Sequence, residues 1–260
     1  MNTTMGLDPF KRLYFFTGKG GTGKSTLSSA FCSYLKGHFS LDAKIISLEK
    51  SDSIQNGNDI IYLELQSSIL QYLTTKLGPI VAKGIVKTPF FSSALQMAPG
   101  FHYLVYLGDL LQRLKQNPRL ILIFDSPSSG HTLTLFQSIA QFKKIFQRGI
   151  LFDDISEMER ILQSPNFYQV HICSLPDQIP MQETIELKNK LTLLGYSRIS
   201  ICMNRIFSSY PILPELPQYW IHRCKQEQEF LKSFESLIHH KIPFMPNFNE
   251  LQPTYFEPLI

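Results

Sequence analysis

The chain has 260 residues, of which 43% are hydrophobic and 18% charged, with a formal net charge of +4 at pH 7. This composition is typical of a globular protein, and the charge is too small to indicate nucleic-acid binding by itself. No apolar run reaches the roughly 18 residues of a membrane span, and the start, MNTTMGLDPFKR, lacks a signal-peptide core. We therefore expect a cytoplasmic protein without an integral membrane segment.

Short apolar runs rich in β-branched and aromatic residues alternate with helical patterns along the chain. Most of these runs are continuously apolar, as strands buried on both faces of a parallel sheet should be. The predicted strands are 12–17, 43–48, 119–125, 167–173, 198–204 and a short 242–245. The predicted helices are 24–36, 131–147, 181–194 and 222–239. The pattern predicts an α/β fold built from βαβ units.

Two segments interrupt this alternation, at about 60–118 and about 140–166. The first is expected to form several short helices, separated by turn signals such as Gly78-Pro79 and Pro99-Gly100. Together the two segments predict a reduced helical subdomain on one edge of the sheet. We expect the whole chain, 1–260, to be one domain.

The four cysteines are scattered and include no C-x-x-C pair. Two of them lie inside predicted strands, so the expected state is a buried, reduced thiol, and the spacing argues against a zinc or metalloid thiolate cluster. The four are Cys32, Cys173, Cys202 and Cys224.

A glycine-rich stretch, GKGGTGKST, lies between the first predicted strand and the first predicted helix. It contains the G-x-x-x-x-G-K-[ST] pattern of a phosphate-binding loop, whose backbone N–H groups and helix N-terminus surround phosphate. Lys24 is expected at the β- and γ-phosphates, Ser25 at Mg²⁺ and Thr26 at the α-phosphate. The remaining predicted nucleotide-binding residues of the loop are Gly18, Gly20, Gly21, Thr22 and Gly23.

A second motif is the stretch LILIFDSPSSGHT, at 120–132. Asp125 ends an apolar strand, which is typical of the carboxylate that orients Mg²⁺ in such proteins. Gly130 follows five residues later and can bring its backbone N–H close to a γ-phosphate. His131 is expected to cap or hydrogen-bond within this segment rather than to act as a base.

GKGGTGKST and FDSPSSGHTL together resemble the ATPases that drive arsenite pumps and target tail-anchored membrane proteins, within the deviant Walker A class of P-loop ATPases. Residues 125–133 resemble the family's second switch, and Pro99-Gly100 and the segment 171–191 resemble further family segments. The resemblance implies a P-loop NTPase fold with ATP and Mg²⁺ as cofactors. It also implies that Asn204 contacts adenine.

The resemblance gives a role to Lys19, which a simple phosphate-binding loop does not need. In the deviant class, this lysine reaches across a dimer interface to the nucleotide bound by the partner, where its charge offsets that of the transferring phosphoryl group. The resemblance therefore implies a homodimer with two ATP molecules, which opens and closes with nucleotide state.

The sequence departs from the family pattern in two places. Where the family's first switch reads D-P-A-H-S, this chain has Glu49 and Lys50, with Asp52 nearby. Glu49 is the expected water-orienting carboxylate, with Asp52 as the alternative, and misplacement of a base by about 1 Å can cost ~10²-fold in rate. The helical segments are also short and lack the family's metal-binding C-x-x-C.

The sequence therefore predicts a slow, Mg²⁺-dependent ATPase that drives or regulates binding of a protein partner through its helical surface. Two alternatives stay open: a non-hydrolysing nucleotide-dependent interaction module, and a positioning ATPase of the MinD/ParA type. The C-terminal NELQPTYFEPLI has neither a basic membrane helix nor a basic DNA patch, which weighs against the last. Association with a membrane complex stays compatible with the sequence.

Overall fold

The computed structural model describes residues 10–48, 59–88, 100–210, 217–245, 255–256 and 259–260. Seven strands form one sheet in which every neighbouring pair is parallel. The strands are β1 (Leu13–Gly18), β2 (Asp42–Ser47), β3 (Ile60–Tyr62), β4 (Leu120–Asp125), β5 (Tyr168–Ser174), β6 (Ile199–Ile206) and β7 (His240–Pro243).

The strand order is β3-β2-β4-β1-β5-β6-β7, so β1 lies at the centre with β4 and β5 on either side. All six residues of β1 and all six of β4 are buried, which explains their continuously apolar sequences. Because the strands are parallel, their carboxyl ends meet at one edge of the sheet, the edge where ligands bind in open α/β folds.

Helices cover both faces of the sheet. They are α1 (Lys24–Phe39), α2 (Leu65–Leu77), α3 (Pro79–Val86), α4 (Phe101–Gln116), α5 (Ser129–Ile145), α6 (Ile150–Gln163), α7 (Gln178–Leu193) and α8 (Gln218–Ser233). The predicted α/β fold with a parallel central sheet and flanking helices is confirmed.

Alternation along β1 divides the core between the two faces. Leu13 and Phe15 point into a large cluster shared with α4, α5 and α6, whereas Tyr14 and Phe16 point into a second cluster with α1. The large cluster also includes Tyr72 of α2. The helices from the segments 60–118 and 140–166 therefore share a continuous hydrophobic core with the sheet.

The structure corrects one element of the sequence prediction. Ile60–Tyr62 was expected within a helical segment, but it forms β3, which pairs in parallel with Ile45–Ser47 of β2. The β-branched pair Ile60-Ile61 extends the sheet before the helical pattern begins at Leu65. Three residues are too few for periodicity to distinguish a strand from the start of a helix.

The cysteines are buried free thiols, as predicted. Burial raises the pKa of Cys32 and of Cys173 to about 12, so both thiols stay protonated at neutral pH. Within the described part of the chain, no helix combines the length and the apolar character needed to cross a lipid bilayer.

Candidate nucleotide-binding site

The predicted phosphate-binding loop joins the end of β1 to the start of α1, at the carboxyl edge of the sheet. Two of its glycines are required by the backbone. Gly18 has φ +138°, and a Cβ there would lie 2.2 Å from the carbonyl oxygen of Cys173. Gly23 has φ +89°, and a Cβ there would lie 2.3 Å from Nδ2 of Asn204. Any larger residue at either position would collide with a neighbouring strand.

The N-terminus of α1 opens directly onto this loop. Its N-cap is Gly23, whose lack of a side chain leaves no cap hydrogen bond, and the first turn contains no acidic residue. The first N–H groups of a helix have no partner within the helix and carry partial positive charge. This end of α1 is therefore suited to an anion.

Lys24 folds back over the loop. The residue is only 7% exposed, and its Nζ donates to the carbonyl oxygen of Lys19 at 3.0 Å. The hydroxyl of Thr22 donates to the same carbonyl at 2.9 Å. The ammonium group thus lies against the loop backbone, where the motif predicts a phosphate-binding lysine.

Lys19 has a partner that the sequence analysis missed. Its Nζ lies 2.6 Å from Oε1 of Glu183 on α7, and the two side chains are 42% and 43% exposed. The two residues are 164 positions apart, so no local sequence signal could have revealed the pair. The signature lysine is held within its own chain by a solvent-exposed ion pair.

Asn204 contacts the loop rather than standing apart from it. Its Nδ2 donates to the carbonyl oxygen of Thr22 at 2.9 Å, and its Oδ1 accepts from the backbone N–H of Arg205 at 2.9 Å. Arg205 has a φ of +58°, which is uncommon for a residue other than glycine. Asn204 therefore positions the loop, a role that the sequence analysis did not assign, and its contact with adenine stays a prediction.

The second predicted motif, which contains Asp125, lies beside the phosphate-binding loop. Asp125, at the end of β4, is 6% exposed and pairs in register with Phe16 of β1 and with Ser47 of β2. The topology thus brings this carboxylate beside the loop that follows β1. Ser25 is half-buried and Thr26 exposed, both in the first turn of α1.

Hydroxyl groups connect β1 to the segment after β4. Oγ1 of Thr132 lies 2.8 Å from Oγ1 of Thr17 and 2.7 Å from Oγ of Ser126. Ser126 also donates its hydroxyl to the carbonyl oxygen of Ser128, at 3.0 Å. Gly130 is exposed in the first turn of α5, immediately after this segment, so its N–H is available at a helix N-terminus.

His131 extends the connection to the helical layer. Its Nδ1 forms a hydrogen bond with the hydroxyl of Tyr103 on α4. Hydrogen bonding was predicted for this histidine, but the partner belongs to α4 rather than to the switch segment itself. The contact joins the second switch to a helix that packs in the large core cluster.

The predicted water-orienting residues, Glu49 and Asp52, lie outside the described residues, as does Pro99. β2 ends at Ser47, two residues before Glu49. The choice between the two carboxylates therefore stays a prediction.

The described site fits a nucleotide triphosphate with a divalent cation. Gly18 and Gly23 hold the loop in a backbone path that a side chain would not allow, an uncapped helix N-terminus faces the loop, and a buried lysine lies over it. Asp125 adds a carboxylate at the adjacent strand end, the hard oxygen donor that Mg²⁺ prefers.

Comparison with known proteins yields relatives of low identity, and no family model matches the chain. The chain is 23% identical to the putative arsenical pump-driving ATPase 2 of Aquifex aeolicus, over 86% of this chain and 89% of that protein. It is 23% identical to the ATPase BagA of Mycobacterium tuberculosis, over 75% and 65% of the two chains. It is 26% identical to the ATPase ASNA1 homolog of Cryptosporidium parvum, over 58% of this chain and 44% of that protein.

The match covers less than two thirds of the length of the Mycobacterium and Cryptosporidium proteins. All three relatives are named ATPases, which supports an ATP-dependent function. These relatives, at 23–26% identity, support the resemblance of the glycine-rich loop and the second switch to the anion-transporting ATPase-like family.

Proposed function

We propose that the protein is a cytoplasmic Mg²⁺-dependent ATPase that works as a nucleotide-gated homodimer and drives or regulates binding of a protein partner. The observation that carries this proposal is the loop between β1 and α1. There the buried Lys24 ammonium, the uncapped helix N-terminus and the strand-end carboxylate of Asp125 share one edge of the sheet.

Each residue has a defined task in this proposal. The loop backbone and Lys24 bind the β- and γ-phosphates, while Ser25 and Asp125 hold Mg²⁺, directly or through water. When bound, Mg²⁺ would neutralise phosphate charge and orient the γ-phosphoryl group. Glu49, or Asp52 in its place, orients the attacking water. The N–H of Gly130 lies at a helix terminus suited to the γ-phosphate.

Lys19 supplies the argument for a dimer. Its ion pair with Glu183 is largely exposed, and such pairs contribute only about 0–1 kcal/mol. A triphosphate on a partner subunit offers several negative charges in a site from which water is excluded. Release of Lys19 from Glu183 is therefore a small cost compared with the charge–charge attraction gained across the interface.

The helical layer offers a candidate surface for the protein partner. α3 carries two exposed aliphatic side chains, Ile80 at 87% and Val81 at 51% exposure. Exposed apolar side chains at these two positions are candidate contacts for a partner protein. The bond between His131 and Tyr103 provides a physical connection from the second switch to this layer.

Turnover and assembly measurements test the proposal together. Wild-type protein should bind ATP with Mg²⁺, release phosphate slowly and form dimers with a non-hydrolysable ATP analogue, as read by light scattering. Lys24→Ala should lose nucleotide binding. Lys19→Ala should keep binding but lose turnover and dimer stability. A wild-type protein that stays monomeric in both nucleotide states would refute the homodimer.

The same assays separate the two alternatives. ATP binding without measurable phosphate release, unchanged in Glu49→Ala and Asp52→Asn, would favour the non-hydrolysing interaction module. ATP-dependent co-sedimentation with liposomes or DNA would favour a positioning ATPase. Phosphate release that falls in one of the two carboxylate variants supports the ATPase and identifies the water-orienting residue.

A further inference from the structure

Three potential metal ligands converge on the face of the sheet that packs against α1. In the register, Cys202 of β6 pairs with His240 of β7 and with Cys173 of β5. His171 lies two residues before Cys173, so it shares the same face of its strand. One ligand atom from each of His171, Cys202 and His240 lies within 4.8 Å of the other two.

The burial of these side chains indicates that their proximity has a function. His171 is 1% exposed and Cys202 is fully buried. Nδ1 of His171 is 2.7 Å from Oγ of Ser200 and 3.7 Å from Sγ of Cys202. Among the described residues, Nε2 of His171 and Nδ1 of His240 make no hydrogen bond of ordinary length and angle, and the backbone of Leu259 lies beside the His171 side chain. Buried polar atoms that lack a well-formed hydrogen bond are uncommon and costly, and two occur here side by side.

The surroundings resemble the outer shell of a metal centre. Ser200 holds the imidazole of His171 through one nitrogen, the kind of contact that orients metal-bound histidines. The rings of Tyr14 and Phe16 pack against the same imidazole, and Phe256 and Leu259 belong to the hydrophobic cluster on this face. These apolar side chains would limit the access of bulk solvent to an ion bound there.

The geometry points to a site at which His171, Cys202 and His240 bind a divalent transition metal of the zinc type. Two imidazoles and one thiolate are the donor set that suits Zn²⁺ or Co²⁺, whereas Mg²⁺ and Ca²⁺ require oxygen ligands. Ligand atoms around tetrahedral zinc lie about 3.3–3.5 Å apart, given bond lengths of about 2.0 and 2.3 Å.

Metal binding releases one proton, which comes from the thiol of Cys202. Cys202 enters as a neutral thiol, and its sulfur binds the metal only as a thiolate, so one proton leaves to solvent for each ion bound. The two imidazoles bind as neutral donors and release none. The fourth position is left to water or to a further donor.

Cobalt binding tests the site directly, in nucleotide-free protein under a reducing agent that does not bind metal. Wild type titrated with Co²⁺ should bind one ion per chain and develop the near-ultraviolet charge-transfer absorption of a cobalt–thiolate bond. Cys202→Ser should lose that absorption. His240→Gln, at a partly exposed position, should weaken binding by at least about tenfold.

Cys224→Ser is the matched control, because Cys224 is a buried thiol on α8 that lies outside the cluster. It should bind Co²⁺ as wild type does. Absence of the charge-transfer absorption in wild type, or its survival in Cys202→Ser, would overturn the site.

Thermal unfolding of wild type gives a second test that needs no variant. Zn²⁺ should raise the melting temperature of the nucleotide-free protein, and Mg²⁺ at the same concentration should not, because only zinc matches the donor set. Equal effects of the two ions, or none from Zn²⁺, would contradict the proposal. Both tests omit ATP, so their failure is separate from a failure of the ATPase assays.

Discussion

The ammonium group of Lys19 lies 2.6 Å from the carboxylate of Glu183, within the same chain. In the proposed dimer this lysine must instead reach the nucleotide of the partner, so Glu183 competes with the partner's phosphate for the same charge. Glu183→Gln should therefore favour nucleotide-dependent dimerisation by up to about fivefold for each of the two Lys19 ion pairs released, the limit set by an exposed ion pair. Sedimentation with a non-hydrolysable ATP analogue measures the change.

Glu186→Gln on the same helix is the control, because Glu186 pairs with Lys190 rather than with the loop. It should leave dimerisation unchanged. Weaker dimerisation in Glu183→Gln would show that Glu183 supports the assembly instead of competing with it.

Asn204 should be needed for binding of the phosphate chain itself, because its side chain holds the Thr22 carbonyl. Removing it in Asn204→Ala leaves that carbonyl without its donor and should weaken ATP binding by about 5- to 30-fold. Tripolyphosphate, which has no base, distinguishes the two roles. If Asn204 positions the loop, tripolyphosphate binding falls as well; if it only contacts adenine, calorimetry will show tripolyphosphate affinity unchanged.

Gly23→Ala should abolish nucleotide binding while the rest of the fold persists. The new Cβ would lie 2.3 Å from Nδ2 of Asn204, and the positive φ adds about 1–2 kcal/mol of strain. Gly37→Ala, within α1, is the control, since a Cβ there meets nothing within 4 Å. That variant should bind ATP normally and unfold at a slightly higher temperature. Normal binding by Gly23→Ala would mean that the loop tolerates a different backbone path.

Tyr103→Phe should uncouple the second switch from the helical layer without affecting ATP binding. The variant removes one hydrogen bond to His131, which contributes about 0.5–1.5 kcal/mol. The effect of nucleotide on the exchange rates of α4 should therefore fall by about 2- to 12-fold. Hydrogen exchange of α4 with and without an ATP analogue measures the coupling. Tyr106→Phe, on the same helix, should respond as wild type does. An undiminished nucleotide effect in Tyr103→Phe would exclude this connection.

The metal-free protein should lose stability in mild acid through His171. Burial, aided by the nearby His240 and His239, lowers the pKa of His171 to about 3, well below the roughly 6.5 of an unfolded chain. Between these values the unfolded state binds more protons, so stability falls as the pH drops. The loss from pH 7 to pH 5 should be about 2 kcal/mol for this group.

Burial also lowers the pKa of His240, to about 4, which adds to the loss in the same direction. The other titratable side chains that face His171 are Tyr14 and Cys202, and both are neutral across this range. His171→Asn should flatten the pH dependence in chelator-treated protein, as read by urea unfolding. An equally steep dependence would place the acid sensitivity elsewhere.

The central sheet could be predicted because its strands are buried on both faces and therefore read as continuous apolar runs. β1 and β4 are clear examples, and the loop between β1 and α1 has a motif whose glycines the backbone requires. β3 could not be predicted, because three residues are too few to show a periodicity of hydrophobic side chains. Its pairing with β2 arises only in the folded sheet.

The connections around the site could not be predicted either, for a different reason. Glu183, Tyr103 and Ser200 act through partners that are distant in sequence, brought together by the order of the strands and the packing of helices. Cysteine spacing argued against a thiolate metal cluster. It gave no information on His171 and His240, which join Cys202 only through the register of three parallel strands.

The hydroxyl contacts of Thr17, Thr132 and Ser126 have a direction. Each hydroxyl has one proton to donate, and Ser126 gives its proton to the carbonyl of Ser128. Thr132 must then donate to Ser126, and Thr17 must donate to Thr132. The three dipoles point from the strand before the loop towards the second switch, so displacement of Ser128 would let each hydroxyl rotate in turn. A change at the switch could thus reach β1 as a reversal of hydrogen-bond polarity, with hardly any movement of the backbone.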